Sequence, residues 1–253
     1  MRQGLKADFL DGLMRSWAGK DACMVCNGSP RGVSYDLLWN ITMWIGEIIA
    51  VDSGLEWLER AGISPELIVG DLDSVNIDLY SRYEAMGVSS VLANPMKDDT
   101  DLEMALSSAR DHFQSKVVVV NYSGGYLDQE LASLGSMGRC GLPVAAVDDH
   151  MAVIYLAGPE EGADIDDGSH DFESAGNVVP SRLRLAQIGL EEGDEYSVIA
   201  YDGSAVVTQT GVHWPQESFE YEGLSGRGVD NIVESSEAQV VVESGKAMVI
   251  IEY

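Results

Sequence analysis

Aspartates stand in this chain where a ligand would meet them. Asp52 follows the apolar run Ile48–Val51 and leads into Ser53-Gly54, and Gly70-Asp71-Leu72-Asp73-Ser74 follows Leu67–Val69. Residues two apart in an extended segment point to the same side, so Asp71 and Asp73 can converge on one point. Carboxylates forced together repel each other, and an oxygen-only set of this kind suits a hard cation such as magnesium. A solvated acidic turn after a strand is the plainer explanation of the D-x-D spacing taken by itself.

A second cluster runs Asn94-Pro95-Met96-Lys97-Asp98-Asp99-Thr100-Asp101-Leu102-Glu103. Thr100 and Glu103 form an S/T-x-x-E capping box for a following helix, and acids at a helix start favour its dipole. Capping leaves Lys97, Asp98 and Asp99 without an explanation, and a lysine at that place is suited to a phosphate. A third segment is Asn121-Tyr122-Ser123-Gly124-Gly125-Tyr126-Leu127-Asp128-Gln129. Its two glycines after a strand allow close backbone approach to a ligand, while helix N-capping is the ordinary role for Asp128. No Walker A loop is present, and the glycines of Gly223–Gly228 do not stand at a strand–helix turn.

These clusters need elements to hold them. Short β-type runs occur at Cys23–Cys26, Ile48–Val51, Leu67–Val69, Val88–Leu92, Val117–Asn121 and Val144–Val147, with helical stripes between them, such as Leu55/Leu58/Ala61, Leu79/Tyr83/Met86, Leu102/Ala105/Leu106/Ala109 and Leu131/Leu134/Met137. Such alternation predicts a mostly parallel sheet with helices on both faces, which binds ligands at the carboxyl ends of its strands. Beyond Leu156 the pattern changes. Gly162–Asn177 reads as a linker, followed by β-type runs at Tyr196–Tyr201, Ala205–Thr208, Gln239–Val242 and Met248–Ile251, punctuated by Asp202-Gly203 and Ser244-Gly245. The expected organisation is an α/β domain over 1–156 and an all-β domain over 157–253.

Composition excludes some classes of partner. The net charge is −27, with 42 acids against 15 bases, which argues against a nucleic-acid backbone or an anionic membrane surface as partner. Cys23 and Cys26 make a C-x-x-C inside an apolar run, where residues three apart face opposite sides of a strand, so neither redox nor zinc chemistry is expected of them. The three cysteines fit a reducing cytoplasm. The N-terminal segment, interrupted by Asp8 and Asp11, does not read as a signal peptide, and no apolar run has membrane-helix length.

In order and spacing, the motifs resemble the thiamine pyrophosphokinase family. That family carries A-D-G-G, then P-D-L-I-x-G-D-F-D-S, P-x-(K/Q)-D-x-T-D and G-G-R-x-D-(H/Q)-x-x-A-(N/S). This chain has Val51-Asp52-Ser53-Gly54, then Pro65-Glu66-Leu67-Ile68-Val69-Gly70-Asp71-Leu72-Asp73-Ser74, Pro95–Asp101 and Gly124–Ser133. Gly211-Val212-His213-Trp214 and Asp230-Asn231 stand for two later motifs. The resemblance implies an α/β/α ATP domain followed by a β-sandwich that binds thiamine, in a homodimer whose thiamine lies between the α/β domain of one subunit and the β domain of the other. It implies magnesium on Asp71, Asp73 and Asp101, with Asp52 and Asp98 in the same pocket. Lys97 and Thr100 would lie between ATP and thiamine, and Asp128 and Gln129 on the nucleotide side. Trp214 would stack on thiamine, with Asn231 closing that pocket. A core position is the ordinary alternative for Trp214. The expected reaction is in-line attack of the thiamine hydroxyl on the β-phosphorus of ATP, with AMP leaving and Asp98 or Asp101 as proton acceptor. Two departures bear on substrate: Tyr126 stands where the family has Arg, and Asp230 where it has Ser. A diphosphokinase for another heterocyclic alcohol such as a pterin, or an inactive nucleotide-binding protein, are the competing expectations.

Overall fold

The computed structural model describes residues 5–17, 22–29, 31–92, 99–113, 116–159 and 178–253. Two compact units account for it, one made of residues 19–149 and the other of 150–253 with the N-terminal segment 1–18.

In the 19–149 unit, six strands form a parallel array: β1 (Ala22–Cys26), β2 (Glu47–Val51), β3 (Leu67–Gly70), β4 (Ser89–Leu92), β5 (Lys116–Val120) and β6 (Val144–Val147). Their order is β6-β5-β1-β2-β3-β4. Every residue of β3 and β6, and all but the first of β2 and β5, is buried. Side chains alternate across a sheet, so continuous burial means that both faces are covered. The helices supply that cover: α2 (Tyr35–Thr42), α3 (Gly54–Ala61), α4 (Ile77–Ala85), α5 (Asp101–Ser108) and α6 (Leu127–Arg139). The N-terminal helix, Leu5–Trp17, is α1. β4 is largely exposed, as suits an edge strand. Chain order reverses at β1, which has β2 on one side and β5 on the other, and such a switch point opens a crevice beyond the strand ends.

Cys23 and Cys26 both lie buried in β1, and burial pushes the Cys26 thiol up to about 12 and raises that of Cys23. Their place is in the core, where a protonated thiol packs as a small apolar group.

The other unit is antiparallel. β7 (Met151–Ala157), β9 (Glu195–Ala200), β12 (Asn231–Ile232) and β14 (Lys246–Glu252) make one sheet in the order β12-β9-β14-β7. β8 (Arg182–Arg184), β10 (Ala205–Thr210), β11 (Gln216–Tyr221) and β13 (Gln239–Ser244) make a second in the order β11-β10-β13-β8. Alternation is visible in β9, where Tyr196, Val198 and Ala200 are buried, and in β10, where Ala205, Val207 and Gln209 are. The Tyr196 hydroxyl donates to Gln209 Oε1 at 2.6 Å, tying the two inner faces together. The chain crosses from β13 to β14 at Gly245, where φ is +75° and a Cβ would overlap the Ser204 carbonyl, so only glycine fits.

The architecture is therefore an α/β domain plus a β-sandwich. The sequence places a boundary at 156–157, whereas the units group strand β7 and helix α1 with the sandwich. The reason is pairing and packing: β7 bonds along its length to β14, and α1 presents Phe9, Leu10, Leu13, Met14 and Trp17 as one buried stripe while Gly12 closes on Gly189. The linker expected at Gly162–Asn177 lies outside the described residues. Among the described residues no helix is long and apolar enough to cross a membrane.

Candidate active site

The carboxyl ends of the parallel strands open onto a cleft of about 550 Å³. The ends of β1, β2, β3 and β5 and the start of α5 contribute. Asn27, Gly28 and Ser29 come from beyond β1, Asp52 and Ser53 from β2, Asp73 and Ser74 from β3, Thr100 and Asp101 from the start of α5, and Tyr122 and Gly125 from beyond β5.

Three of its carboxylates meet. One oxygen each of Asp52, Asp71 and Asp73 lies within 4.8 Å of the other two. The register of β2 on β3 produces this. Val51 pairs with Val69, and the Asp52 amide donates to the Val69 carbonyl at 2.9 Å, so the two strands end side by side. Asp52 then turns out of the strand with φ +50°, and Leu72, between the other two aspartates, has φ +63°. A left-handed backbone is uncommon for aspartate and an outlier for leucine; such strain concentrates where a site dictates the backbone. The Asp73 amide donates to Asp71 Oδ1 at 3.0 Å, and Ser74 Oγ donates to Asp52 Oδ2.

Electrostatics show the cost of this convergence. Burial, with the charges of Asp101, Asp73 and Asp71 added, raises the Asp52 carboxyl above its ordinary value against the lowering effect of Ser74. The Asp71 charge, foremost, raises that of Asp73. Asp52 Oδ1 is buried and has no hydrogen-bond partner among the described residues. An orphaned carboxylate oxygen beside two further carboxylates is a donor set for one hard divalent cation.

The approach to α5 is capped as the sequence predicts. Thr100 Oγ1 accepts from the Glu103 amide at 3.2 Å, and the Thr100 amide donates to Glu103 Oε2 at 2.8 Å. Gly54 opens α3 directly under β1, where a Cβ would overlap the Cys26 carbonyl. The loop beyond β5 is stapled to the loop beyond β1: Asn121 Nδ2 donates to the Asn27 carbonyl at 2.6 Å, and Ser29 Oγ to the Ser123 carbonyl at 2.5 Å.

The β-sandwich has its own cavity, about 320 Å³, lined by Gln209, Trp214, Gln216, Phe219, Tyr221, Arg227, Gly228, Val229 and Asn231. Trp214 is 53 % exposed and is thus no core aromatic. Asn231 is buried and holds it. Its Oδ1 accepts from the Trp214 amide at 3.1 Å, and its Nδ2 donates to the Trp214 carbonyl and to Gln209 Oε1, each at 3.2 Å. His213 stands edge-on to the indole at 4.5 Å, with its Nδ1 2.6 Å from Glu234 Oε1.

Of the residues singled out from sequence, Asp52, Asp73, Thr100, Asp101 and Gln129 line the cleft, and Asp71 completes the triad. The close set is Asp52, Asp71 and Asp73; Asp101 lines the same cleft and acts on Asp52 and Asp73 through its charge. Asp128 is exposed in the first turn of α6, whose N-cap is Tyr126, so N-capping is not its role. Lys97 and Asp98 lie outside the described residues. Trp214 and Asn231 share the sandwich cavity. Asp230 is exposed, with φ +59° and its amide donating to Ser197 Oγ at 3.1 Å. Sequence reasoning overlooked Asn27–Ser29 and Glu130 in the cleft and Gln209 in the cavity. The first had a signal, since Asn27-Gly28 directly follows a strand-like run.

Residues 36–144 match the family model of the thiamin pyrophosphokinase catalytic domain. The thiamine pyrophosphokinase of Bacillus subtilis (strain 168) is 31% identical over 110 residues, 42% of this chain and 50% of that protein, so the chain spans about half the length of this relative. The crystal structure of thiamine pyrophosphokinase from Bacillus subtilis superposes with a TM-score of 0.66 at 19% identity, over 91% of this chain and 98% of that one. That of thiamin pyrophosphokinase from Geobacillus thermodenitrificans gives 0.67 at 20%, over 92% and 97%. The yeast enzyme gives 0.69 at 10%, over 96% and 90%. In sequence over residues 36–144, and in fold over nearly the whole chain, this protein resembles the thiamin pyrophosphokinases.

Proposed function

We propose that the protein is a thiamine diphosphokinase, transferring diphosphate from ATP to the thiamine hydroxyl with release of AMP. The observation that carries this reading is the convergence of Asp52, Asp71 and Asp73 at the carboxyl ends of adjacent parallel strands. The triad would hold magnesium, with Asp101 beside it, and the ion would neutralise phosphate charge there. Asn27–Ser29 and Gly125 offer backbone to the nucleotide, and Thr100 and Gln129 offer side chains. Of the two carboxylates considered for the hydroxyl proton, Asp101 lines the cleft. In the sandwich cavity the face of Trp214, locked by Asn231, suits a cationic heterocycle. The protein's work is then to position two substrates and to offset charge, as phosphoryl-type transfer requires. The assembly proposed is a homodimer, and the compartment the cytoplasm.

The test is AMP release from ATP and magnesium, with and without thiamine, by the wild type and by Asp71→Asn. Thiamine-dependent AMP, reduced about 100-fold or more in the variant, supports the reading. ATP bound without AMP at any magnesium concentration contradicts it, and AMP formed only with a pterin alcohol would reassign the acceptor.

A further inference from the structure

The cleft has a charge problem of its own making. Its described lining includes Asp52, Asp73, Asp101 and Glu130, and neither lysine nor arginine. A nucleotide polyphosphate entering it meets like charge, and one divalent ion offsets only part of that. A cation at the rim would complete the site, and the 19–149 unit positions one.

Four of its described arginines are committed to carboxylates: Arg60 to Glu56, Arg82 to Glu59, Arg110 to Asp111 and Arg139 to Glu103. Arg31 is not. It is exposed and has no hydrogen bond or ion pair with any described residue, in a chain carrying 42 acids. Its position is nonetheless fixed. Two residues earlier, the Ser29 amide donates to the Asn121 carbonyl at 3.3 Å and the Ser29 hydroxyl to the Ser123 carbonyl at 2.5 Å. One residue later the chain turns at Gly32, with φ +74°, against the ring of Trp57. The arginine stem then lies over Gly124, where a Cβ would overlap Arg31 Cδ and sit 2.6 Å from its Cβ and 2.9 Å from its Cγ. Glycine at 124 therefore makes room for the arginine, beside Ser29 and Gly125 of the cleft wall. A guanidinium whose stem packs over Gly124, next to the cleft-lining Gly125, and which has no carboxylate partner among the described residues, is suited to a multidentate anion.

We propose that Arg31 binds the polyphosphate of the nucleotide, as the rim cation of the cleft; the inference rests on the reading of that cleft as an ATP site. The experiment is equilibrium binding of magnesium–ATP, and of adenosine as a probe lacking phosphate, to the wild type, Arg31→Ala and Arg31→Lys, with thermal melts to check folding. Arg31→Ala is expected to weaken ATP binding about 10- to 100-fold, the worth of charge-assisted hydrogen bonds. Adenosine binding should stay unchanged, and Arg31→Lys should fall between. ATP binding within about twofold of wild type in Arg31→Ala, or an equal loss for adenosine, overturns the inference. ATP binding that depends on Arg31 without thiamine-dependent AMP supports it while overturning the transfer reaction, and a wild type that does not bind ATP overturns both.

Discussion

Asp52 carries two burdens at once: a left-handed backbone and a half-buried carboxyl among like charges. Its carboxyl is raised in the folded protein, so the folded state holds more protons than the unfolded one as pH climbs past the ordinary aspartate value. Stability from this group therefore falls as pH rises through that window. Without divalent ions, Asp52→Asn should melt higher than the wild type at neutral pH, with the difference vanishing as pH drops below the carboxylate range; thermal melts across pH read this directly. Saturating magnesium should reverse the order, because the wild type alone keeps the full donor set. At Trp214 the stake is affinity. Trp214→Ala should raise KM for thiamine about 10-fold through loss of the indole face, with ATP affinity unchanged, since the two clusters line separate cavities.

At the level of elements, the start of α5 is the clearest local device. Thr100→Ala removes one half of a reciprocal capping box and should cost about 1 kcal/mol, measured by denaturant unfolding. This device was legible in the sequence because it is encoded within four residues. So were the parallel strands, whose apolar runs Ile48–Val51 and Leu67–Val69 give way to the aspartates of the cleft. Other elements carry no such mark. Gln216–Tyr221 is a polar edge strand held by pairing with Ala205–Thr210 through an irregular register, so its pattern shows no alternation to read. The place of Met151–Ala157 is decided by its distant partner Lys246–Glu252. The grouping of Asp52 with Asp71 and Asp73 is tertiary as well, set by the register of β2 on β3. The role of Gly124 in seating Arg31 likewise joins residues far apart in the chain, which single-segment motifs do not reveal.

The whole molecule carries a net charge of −27, and the proposed function asks it to bind a polyanion. The long-range field opposes ATP and its product alike, and favours cationic thiamine. Added neutral salt should therefore raise kcat/KM for ATP at fixed magnesium and lower it for thiamine, a crossing trend that stopped-flow or steady-state rates can detect. Within this field, on the proposed function, a cation on the acidic triad would make the site usable and the sandwich cavity would hold the acceptor. The most direct test of that account is to identify and count the products when the protein turns over ATP, magnesium and thiamine. The account predicts AMP and thiamine diphosphate in equal amounts. ADP with thiamine monophosphate, or ATP held without any thiamine-dependent product, would contradict it.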